Sequence, residues 1–174
     1  MNDRKYLNNE WKFTEDAETD ATVSVRIPHT CKEFPYHYFN ESKCQMRCKY
    51  ERPLFILDEW KGKTLLLTFE GAAHNAEVFI NDEPVYEHRC GYTAFTNHVE
   101  YGKSNRIRVI LDTRESLNIP PFGEHSDFLA YGGIYRDVYL DVKEKMHIQD
   151  VYVRTHFPKG RAQAISRVKV ANPE

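Results

Sequence analysis

Short segments of the chain alternate between apolar and polar residues, and this pattern is the clearest indication of its structure. Residues 138–143 place Val138, Leu140 and Val142 on one face and polar or aromatic side chains on the other. Residues 106–112 alternate in the same way. Side chains of a strand point to opposite faces in turn, so both segments are predicted to be strands with one buried face. Further strands are predicted at 6–13, 23–27, 48–56, 64–70, 76–80 and near 92–95.

Two glycines, Gly132 and Gly133, precede the strand that begins near residue 138. Glycine adopts backbone conformations that are closed to other residues, so a loop can enter the strand here at a sharp angle. The loop at 120–127 is rich in proline and polar residues. A rigid strand that presents such a loop is a common way to build a binding site.

The spacing of strands and turns indicates the fold class. The predicted strands are short, turns separate them at regular intervals, and no segment has a convincing helical period. Eleven Tyr and ten Phe add to a composition that favours strands. The chain is therefore predicted to be all-β, an antiparallel β-sandwich or jelly roll.

The pattern changes after residue 143. Two further strands are predicted at 148–155 and 164–170. An immunoglobulin-like sandwich needs about seven strands over roughly 100 residues, so two strands cannot enclose a core. We therefore expect a main domain at 1–144 and the first strands of an incomplete second domain at 145–174. Because bare strand edges tend to pair, this tail is expected to pack on the main sandwich or on another copy of the chain.

Length and charge exclude several classes of function. The 174 residues suit one domain, or one domain with a piece of another. The net charge is only −2 with both signs interspersed, so neither nucleic acid nor a membrane surface is an expected partner. No apolar run approaches the ~18 residues that cross a bilayer, and the N-terminus lacks the apolar core of a secretion signal. A cytoplasmic location is expected, unless a signal was removed.

The cysteines offer a possible metal or disulfide site. They stand at Cys31, Cys44, Cys48 and Cys90. The spacing of Cys44 and Cys48 could fit either a metal or a disulfide, but no second Cys or Cys/His pair stands at zinc spacing. No metal ligand is predicted, and buried or half-buried free thiols are the expected state.

Seven motifs, taken in order, resemble the N-terminal sugar-binding domain of glycoside hydrolase family 2. They are LNNEWKF (7–13), IPHT (27–30), KGK (61–63), FEG (69–71), AEVFIN (76–81), HRCGYTAF (88–95) and GGIYRDV (132–138). Each motif alone is weakly specific, but their shared order is strong support. The sequence departs from the family at two places. The usual aromatic-Tyr-Arg strand is CKYER (48–52), and the usual Asn-Gly turn is Asn81-Asp82.

The resemblance implies a fold and a chemistry. The main domain is expected to be a galactose-binding-like jelly roll, followed by the truncated start of an immunoglobulin-like sandwich. The family includes β-galactosidases and β-glucuronidases, which are retaining glycosidases. Their acid/base and nucleophile are two glutamates of a TIM barrel, about 5–5.5 Å apart. Such a barrel takes about 250 residues, so no catalytic residue is predicted in this chain.

For the longer protein, the resemblance implies several partners. These are a carbohydrate substrate, the immunoglobulin-like and TIM-barrel domains, and further copies in a homo-oligomer. No cofactor is expected in this chain, whereas the full-length enzyme could hold sodium or magnesium.

The resemblance also assigns two substrate-binding residues. In the family, an aspartate upstream of the Gly-Gly-Ile-aromatic-Arg motif hydrogen-bonds sugar hydroxyls, and Asp127 is the matching residue. A carboxylate accepts two hydroxyl protons strongly and so orients a neutral sugar. In some β-galactosidases this aspartate also holds sodium. Asn40 resembles an amide that contacts the sugar from an earlier loop. The alternatives are that Asp127 caps a turn and that Asn40 forms an Asx-turn.

Other residues near these motifs are expected to serve structure. Arg136 and Asp137 are predicted to close an ion pair or loop hydrogen bonds. Tyr36, Tyr38 and Phe39 could stack on sugar faces, although such aromatics are more often core or interface residues.

Three functions are therefore compatible with the sequence. The first is the sugar-binding domain of a retaining glycosidase that cleaves terminal β-glycosides, with β-galactosides favoured, and the fragment alone is expected to be inactive. The second is a freestanding carbohydrate-binding module. The third is a purely structural domain that holds an oligomer together.

Overall fold

The regular secondary structure of the chain is almost entirely β-strand. A computed structural model describes residues 3–34, 37, 40–102, 106–120, 122 and 130–171. The strands within these residues are β1 (Asp3–Tyr6), β2 (Trp11–Thr14), β3 (Val23–Val25), β4 (Arg47–Pro53), β5 (Thr64–Phe69), β6 (Asn75–Ile80), β7 (Glu83–His88), β8 (Phe95–Val99), β9 (Arg106–Asp112), β10 (Val138–Lys143), β11 (His147–His156) and β12 (Gln163–Ala171). Short 3₁₀ helices span Glu41–Cys44, Asp58–Trp60 and Pro158–Gly160. No helix of the described residues has the length and apolar character needed to span a bilayer.

Ten of the strands form two antiparallel sheets that pack into a sandwich. One sheet has the order β1-β10-β5-β8 and the other β3-β2-β4-β9-β6-β7. This arrangement confirms the predicted all-β sandwich. Each fully buried large apolar side chain contributes roughly 1.5–3 kcal/mol. The largest of them are Trp11, Tyr50, Phe69, Ile27, Leu54, Leu65, Leu67, Ile107, Leu111, Ile134, Leu140 and Val78.

The alternating segments were predicted well, but several strand boundaries were wrong. The strands predicted at 23–27 and 48–56 end earlier, at Val25 and Pro53. In β9 the predicted apolar face is buried at every second residue. The segment 6–13 is two strands rather than one, because Glu10 adopts a positive φ of 64° and β1 and β2 belong to different sheets. The strand expected near 92–95 begins only at Phe95, after a turn.

The departure from the family's Asn-Gly turn leaves the hairpin between β6 and β7 intact. Asn81 and Asp82 have φ values of 51° and 69°. A two-residue hairpin turn with both central φ values positive matches the twist of its strands, and Asn and Asp tolerate this conformation. The Asn81 side chain also accepts a hydrogen bond from the backbone N–H of Arg106, at 3.1 Å.

The segment Gly132–Ile134 fastens two other parts of the chain together. On one side, the N–H groups of His29 and Cys31 donate to the carbonyls of Ile134 and Gly132, at 2.8 and 2.9 Å. On the other side, Ala73 and Gly133 exchange backbone hydrogen bonds of 2.9 and 3.2 Å. Gly133 has φ 140°, and a Cβ there would lie 2.3 Å from the carbonyl oxygen of His29. Only glycine fits this position, as the sharp approach to β10 predicted.

Strands β11 and β12 form a separate two-stranded ribbon. They pair with each other, and within the described residues neither pairs with a strand of the sandwich. The apolar residues of one face remain exposed, among them Val153 at 57%. Within the described residues no sheet covers this face, and packing of the tail on the main sandwich is not seen. Packing on a second copy and the boundary at 144/145 stay predictions.

Candidate functional site

Asn40 lies at the start of the 3₁₀ helix Glu41–Cys44. Its Oδ1 accepts hydrogen bonds from the Ser42 N–H at 3.0 Å and from the Ser42 hydroxyl at 2.8 Å. This is the Asx-turn that the sequence left open as an alternative. The turn engages the carbonyl oxygen of the Asn40 side chain, so the amide N–H groups are the ones that could donate to a sugar. Contact of this amide with sugar stays a prediction.

The other predicted sugar contact, Asp127, lies outside the described residues. So do Tyr36, Tyr38 and Phe39, which were considered as stacking residues. Their roles stay predictions. The structure does describe Gly132, which is five residues after Asp127 in the sequence.

Buried Thr113 contacts both the 3₁₀ helix that follows Asn40 and the Gly132 segment. Its side chain is fully buried. The hydroxyl accepts from the N–H of Met46 at 3.1 Å and donates to the carbonyl of Cys44, the last residue of the 3₁₀ helix. The same side chain packs against Gly132 so closely that a Cβ there would lie 2.2 Å from Thr113 Cγ2. The two segments thus meet at one residue, a convergence that the sequence did not predict.

A cleft of about 600 Å³ opens beside Gly132. Its walls carry the rings of Tyr92, Tyr131 and Tyr135, and its other side chains include those of Thr30, His74 and Arg136. Tyr92 and Tyr131 are roughly half exposed. The Tyr135 hydroxyl donates to the carbonyl of Gly91. Aromatic walls with a few polar groups are typical of small-molecule sites, and the cleft lies beside residues 130–132, which follow Asp127 in the sequence.

His74, at the edge of this cleft, is a buried imidazole. It is 2% exposed, and neither ring nitrogen has a hydrogen-bond partner among the described residues. Burial disfavours the charged form and lowers the pKa of His74, a shift that the Ala130 backbone and Asp112 partly oppose. His29 is held differently, because its Nδ1 lies 2.8 Å from the Tyr50 hydroxyl. Burial lowers the pKa of His29 as well.

Asp137 serves structure, as predicted, whereas Arg136 lies exposed at the cleft. The Asp137 carboxylate accepts from the Asn8 amide at 2.9 Å, and Asn8 in turn accepts from the N–H of Val138 at 3.0 Å. These bonds tie the start of β10 to the turn between β1 and β2. The Arg136 guanidinium lies 5.4 Å from the centre of the Tyr135 ring. Its side chain is exposed at the cleft.

A second groove, of about 780 Å³, lies across one end of the six-stranded sheet. Both of its arginines are already paired: Arg52 lies 3.5 Å from Glu10, and Arg106 contacts Asp82. Ion pairs that satisfy each other leave little charge to bind a ligand. The cleft beside Gly132 is therefore the better candidate site.

The described residues contain no cluster of three His, Cys, Asp or Glu side chains that could hold a metal ion. Asp127, the residue that the resemblance connects with sodium, lies outside them. The sodium or magnesium expected for a full-length enzyme stays a prediction.

Comparison with known proteins decides the family. Residues 34–144 match the family model described as the sugar-binding domain of glycosyl hydrolases family 2. The chain belongs to this family. A β-galactosidase of Thermoanaerobacter pseudethanolicus is 40% identical over 84% of this chain, and a β-glucuronidase of Bacteroides fragilis is 39% identical over 80% of it.

The relatives that the chain matches are much longer than the chain itself. It spans about a fifth of the length of these two relatives, 20% in each case. The crystal structure of Bacteroides uniformis β-glucuronidase superposes on 98% of this chain and 22% of that one, with a TM-score of 0.79 at 25% identity. That superposition includes almost all of the chain, so the family's structural likeness is not confined to the residues of the family model.

Proposed function

We propose that this chain is the N-terminal sugar-binding domain of a retaining glycosidase that hydrolyses terminal β-galactosides. The observation that carries the proposal is the 40% identity to a β-galactosidase over 84% of the chain. The two catalytic carboxylates belong to a barrel domain elsewhere in the longer protein. This chain contributes substrate contacts and no catalytic residue, so it is inactive alone.

The proposed role of Asp127 is to orient the sugar. Its carboxylate accepts hydrogen bonds from two hydroxyls and holds the ring against the reacting groups of the barrel. The amide of Asn40 contacts the same sugar from the neighbouring loop. The contacts of Thr113 favour this arrangement, because one buried side chain contacts both Cys44, near Asn40, and Gly132, five residues after Asp127 in the sequence.

A β-glucuronide is the second candidate substrate, favoured by the 39% identity to a β-glucuronidase. The two sugars differ in charge. An anionic Asp127 suits a neutral galactoside and repels the carboxylate of a glucuronide unless a cation stands nearby. The exposed Arg136 in the cleft is the described cation best placed for that task.

The test is steady-state kinetics of the full-length protein with p-nitrophenyl β-D-galactoside and p-nitrophenyl β-D-glucuronide. The proposal expects a higher kcat/KM on the galactoside. Asp127→Asn is expected to lower that value at least about tenfold, since a hydrogen bond to a charged group contributes about 1.5–3 kcal/mol. Asp20→Asn, a change at an exposed loop aspartate, is the matched control.

Two outcomes would contradict separate parts of the proposal. A higher kcat/KM on the glucuronide, lowered by Arg136→Gln, would replace the substrate and keep the family role. An Asp127→Asn enzyme with unchanged kcat/KM on its preferred substrate would remove Asp127 from the sugar site.

The proposed partners within the longer protein also account for the ribbon. The remaining strands of an immunoglobulin-like domain would cover its apolar face, which consists of Ile148, Val151, Val153, Val168 and Val170. A homo-oligomer of the full-length enzyme is part of the same proposal, and light scattering of that protein tests it.

A further inference from the structure

Two cysteines distant in sequence lie together under the sandwich loops. The Sγ atoms of Cys31 and Cys48 are 3.0 Å apart, and both side chains are buried. Cys31 lies in the segment between β3 and the 3₁₀ helix Glu41–Cys44, whereas Cys48 lies in β4. In the sequence, the spacing that could fit a metal or a disulfide is that of Cys44 and Cys48. A separation of 17 residues matches no recognised disulfide or metal-binding motif, so the pair is apparent only from the fold.

The surroundings of the pair favour the protonated form of the Cys48 thiol in the folded chain. The Tyr50 hydroxyl lies 3.6 Å from Cys31 Sγ and contacts His29 on its other side. The hydrogen bond that Cys48 shares with Cys31, together with burial, raises the pKa of the Cys48 thiol. A thiolate is the species that attacks a disulfide, so the closed native state reacts slowly. The reaction is expected while the chain folds, when both thiols are still accessible.

We propose that Cys31 and Cys48 form a disulfide bond when the chain folds in the presence of a disulfide oxidant such as oxidised glutathione. The thiolate of one cysteine attacks the glutathione disulfide, forms a mixed disulfide and releases one glutathione thiolate. The second cysteine attacks the protein sulfur of that mixed disulfide and releases the other glutathione thiolate. Two electrons pass from the protein to glutathione, and the two cysteine protons leave to solvent or to the released thiolates.

The bond would fasten the region that supports the predicted sugar contacts. It closes a loop over residues 32–47, which includes Asn40 and the 3₁₀ helix Glu41–Cys44. At its other end, the N–H of Cys31 donates to the carbonyl of Gly132. The crosslink thus joins the Gly132 segment and the Asn40 loop to β4. Closing a loop restricts the unfolded chain, so the oxidised form is expected to be the more stable one.

The experiment is to unfold the chain, refold it in a mixture of oxidised and reduced glutathione, block free thiols by alkylation and map the tryptic peptides without reduction. Trypsin places each cysteine in its own peptide: 27–32, 44–47, 48–49 and 90–103. The proposal expects a linked peptide that joins 27–32 to 48–49 and a protein mass lower by about 2 Da, the two hydrogens lost. The oxidised chain is expected to melt about 5–10 °C higher than the reduced one.

Variants make the assignment specific. Cys90→Ser is the matched control and should keep both the linked peptide and the rise in Tm. Cys31→Ser should lose both. If Cys31→Ser fails to fold, the peptide map of the chain without substitutions still shows whether peptides 27–32 and 48–49 are linked. Alkylated or glutathionylated peptides 27–32 and 48–49, or a link between 44–47 and 48–49, would overturn the proposal.

Discussion

Val109 in β9 and Val153 in β11 are both valines in antiparallel strands, yet their surroundings differ completely. Both stand in antiparallel ladders, Val109 opposite Tyr50 and Val78, and Val153 opposite Ser166. Val109 is fully buried, whereas Val153 is 57% exposed. The two sheets of the sandwich enclose the first residue. No second sheet covers the ribbon in the part of the chain that the structure describes.

The comparison separates two properties that the alternating pattern combines. Alternation reports that a segment has one apolar face and can pair as a strand. Burial of that face depends on a second layer, which the sequence of the strand does not specify. Both sheets of the sandwich lie within the chain, so substitutions at its buried residues should strongly lower the free energy of unfolding. Equivalent substitutions in the ribbon should have a much smaller effect.

The largest contrast is expected between two glycines. In Gly133→Ala, the new Cβ meets the His29 carbonyl oxygen at 2.3 Å and the residue must keep φ 140°. We expect a loss of roughly 4 kcal/mol, from overpacking together with backbone strain. Gly160→Ala in the ribbon turn also faces a positive φ, of 76°, but has nothing within 4 Å. It should lose only about 1 kcal/mol. Urea unfolding measures both, and equal losses would show that the Gly133 contacts are not limiting.

A second contrast uses the two valines. Val109→Ala removes two buried methyl groups and leaves a cavity, which is expected to cost about 2–3 kcal/mol. Val153→Ala should change the free energy of unfolding by less than about 0.5 kcal/mol. Chemical denaturation followed by tryptophan fluorescence measures the sandwich, since both Trp11 and Trp60 lie in its core. A large loss with Val153→Ala would show that the ribbon stabilises the sandwich.

Thr113→Val tests the contacts that join the 3₁₀ helix after Asn40 to the Gly132 segment. The change keeps the shape of the side chain but leaves the Cys44 carbonyl and the Met46 N–H without their partner. We expect a loss of about 1–3 kcal/mol from these buried unpaired groups. Thr155→Val in β11 is the matched control, because that side chain is exposed. In the full-length enzyme, Thr113→Val should also raise KM, and an unchanged KM would disconnect Thr113 from the sugar loops.

The smallest contrast concerns pH. Burial lowers the folded-state pKa of both His29 and His74 below the unfolded value of about 6.5. The unfolded chain then binds more protons as the pH falls below 6.5, so stability is full above that value and declines toward the folded pKa values. Tm should fall between pH 7.5 and 5.5. The decline should shrink in His29→Gln or His74→Gln and persist in His156→Gln, whose side chain lies exposed on the ribbon.

Sequence reasoning succeeded where local pattern determines structure. The strands around 106–112 and 138–143 follow from their alternation, and the tight approach at Gly133 follows from the residue type. It failed where a single backbone angle or a distant contact decides. The positive φ of Glu10 divides 6–13 between two sheets, and a turn delays the next strand to Phe95. Nothing in the local sequence indicates either feature.

The candidate site was predictable only in part, for the same reason. Asp127 and Asn40 were assigned through the family resemblance, and the Asx-turn of Asn40 follows from its residue type. The contacts of Thr113 and the contact between Cys31 and Cys48 join segments that are far apart in sequence. Contacts of this kind arise from the packing of the two sheets. They leave no spacing that a reader of the sequence could recognise.

The central claim is that this chain completes a sugar site whose other half lies in a different domain. Isothermal titration of the 174-residue chain with isopropyl β-D-thiogalactoside tests it most directly, with circular dichroism to establish that the chain is folded. The account predicts no measurable heat of binding at millimolar ligand, and binding only by the full-length protein. Saturable binding by the chain alone, abolished by Asp127→Asn, would contradict it and identify a freestanding carbohydrate-binding module.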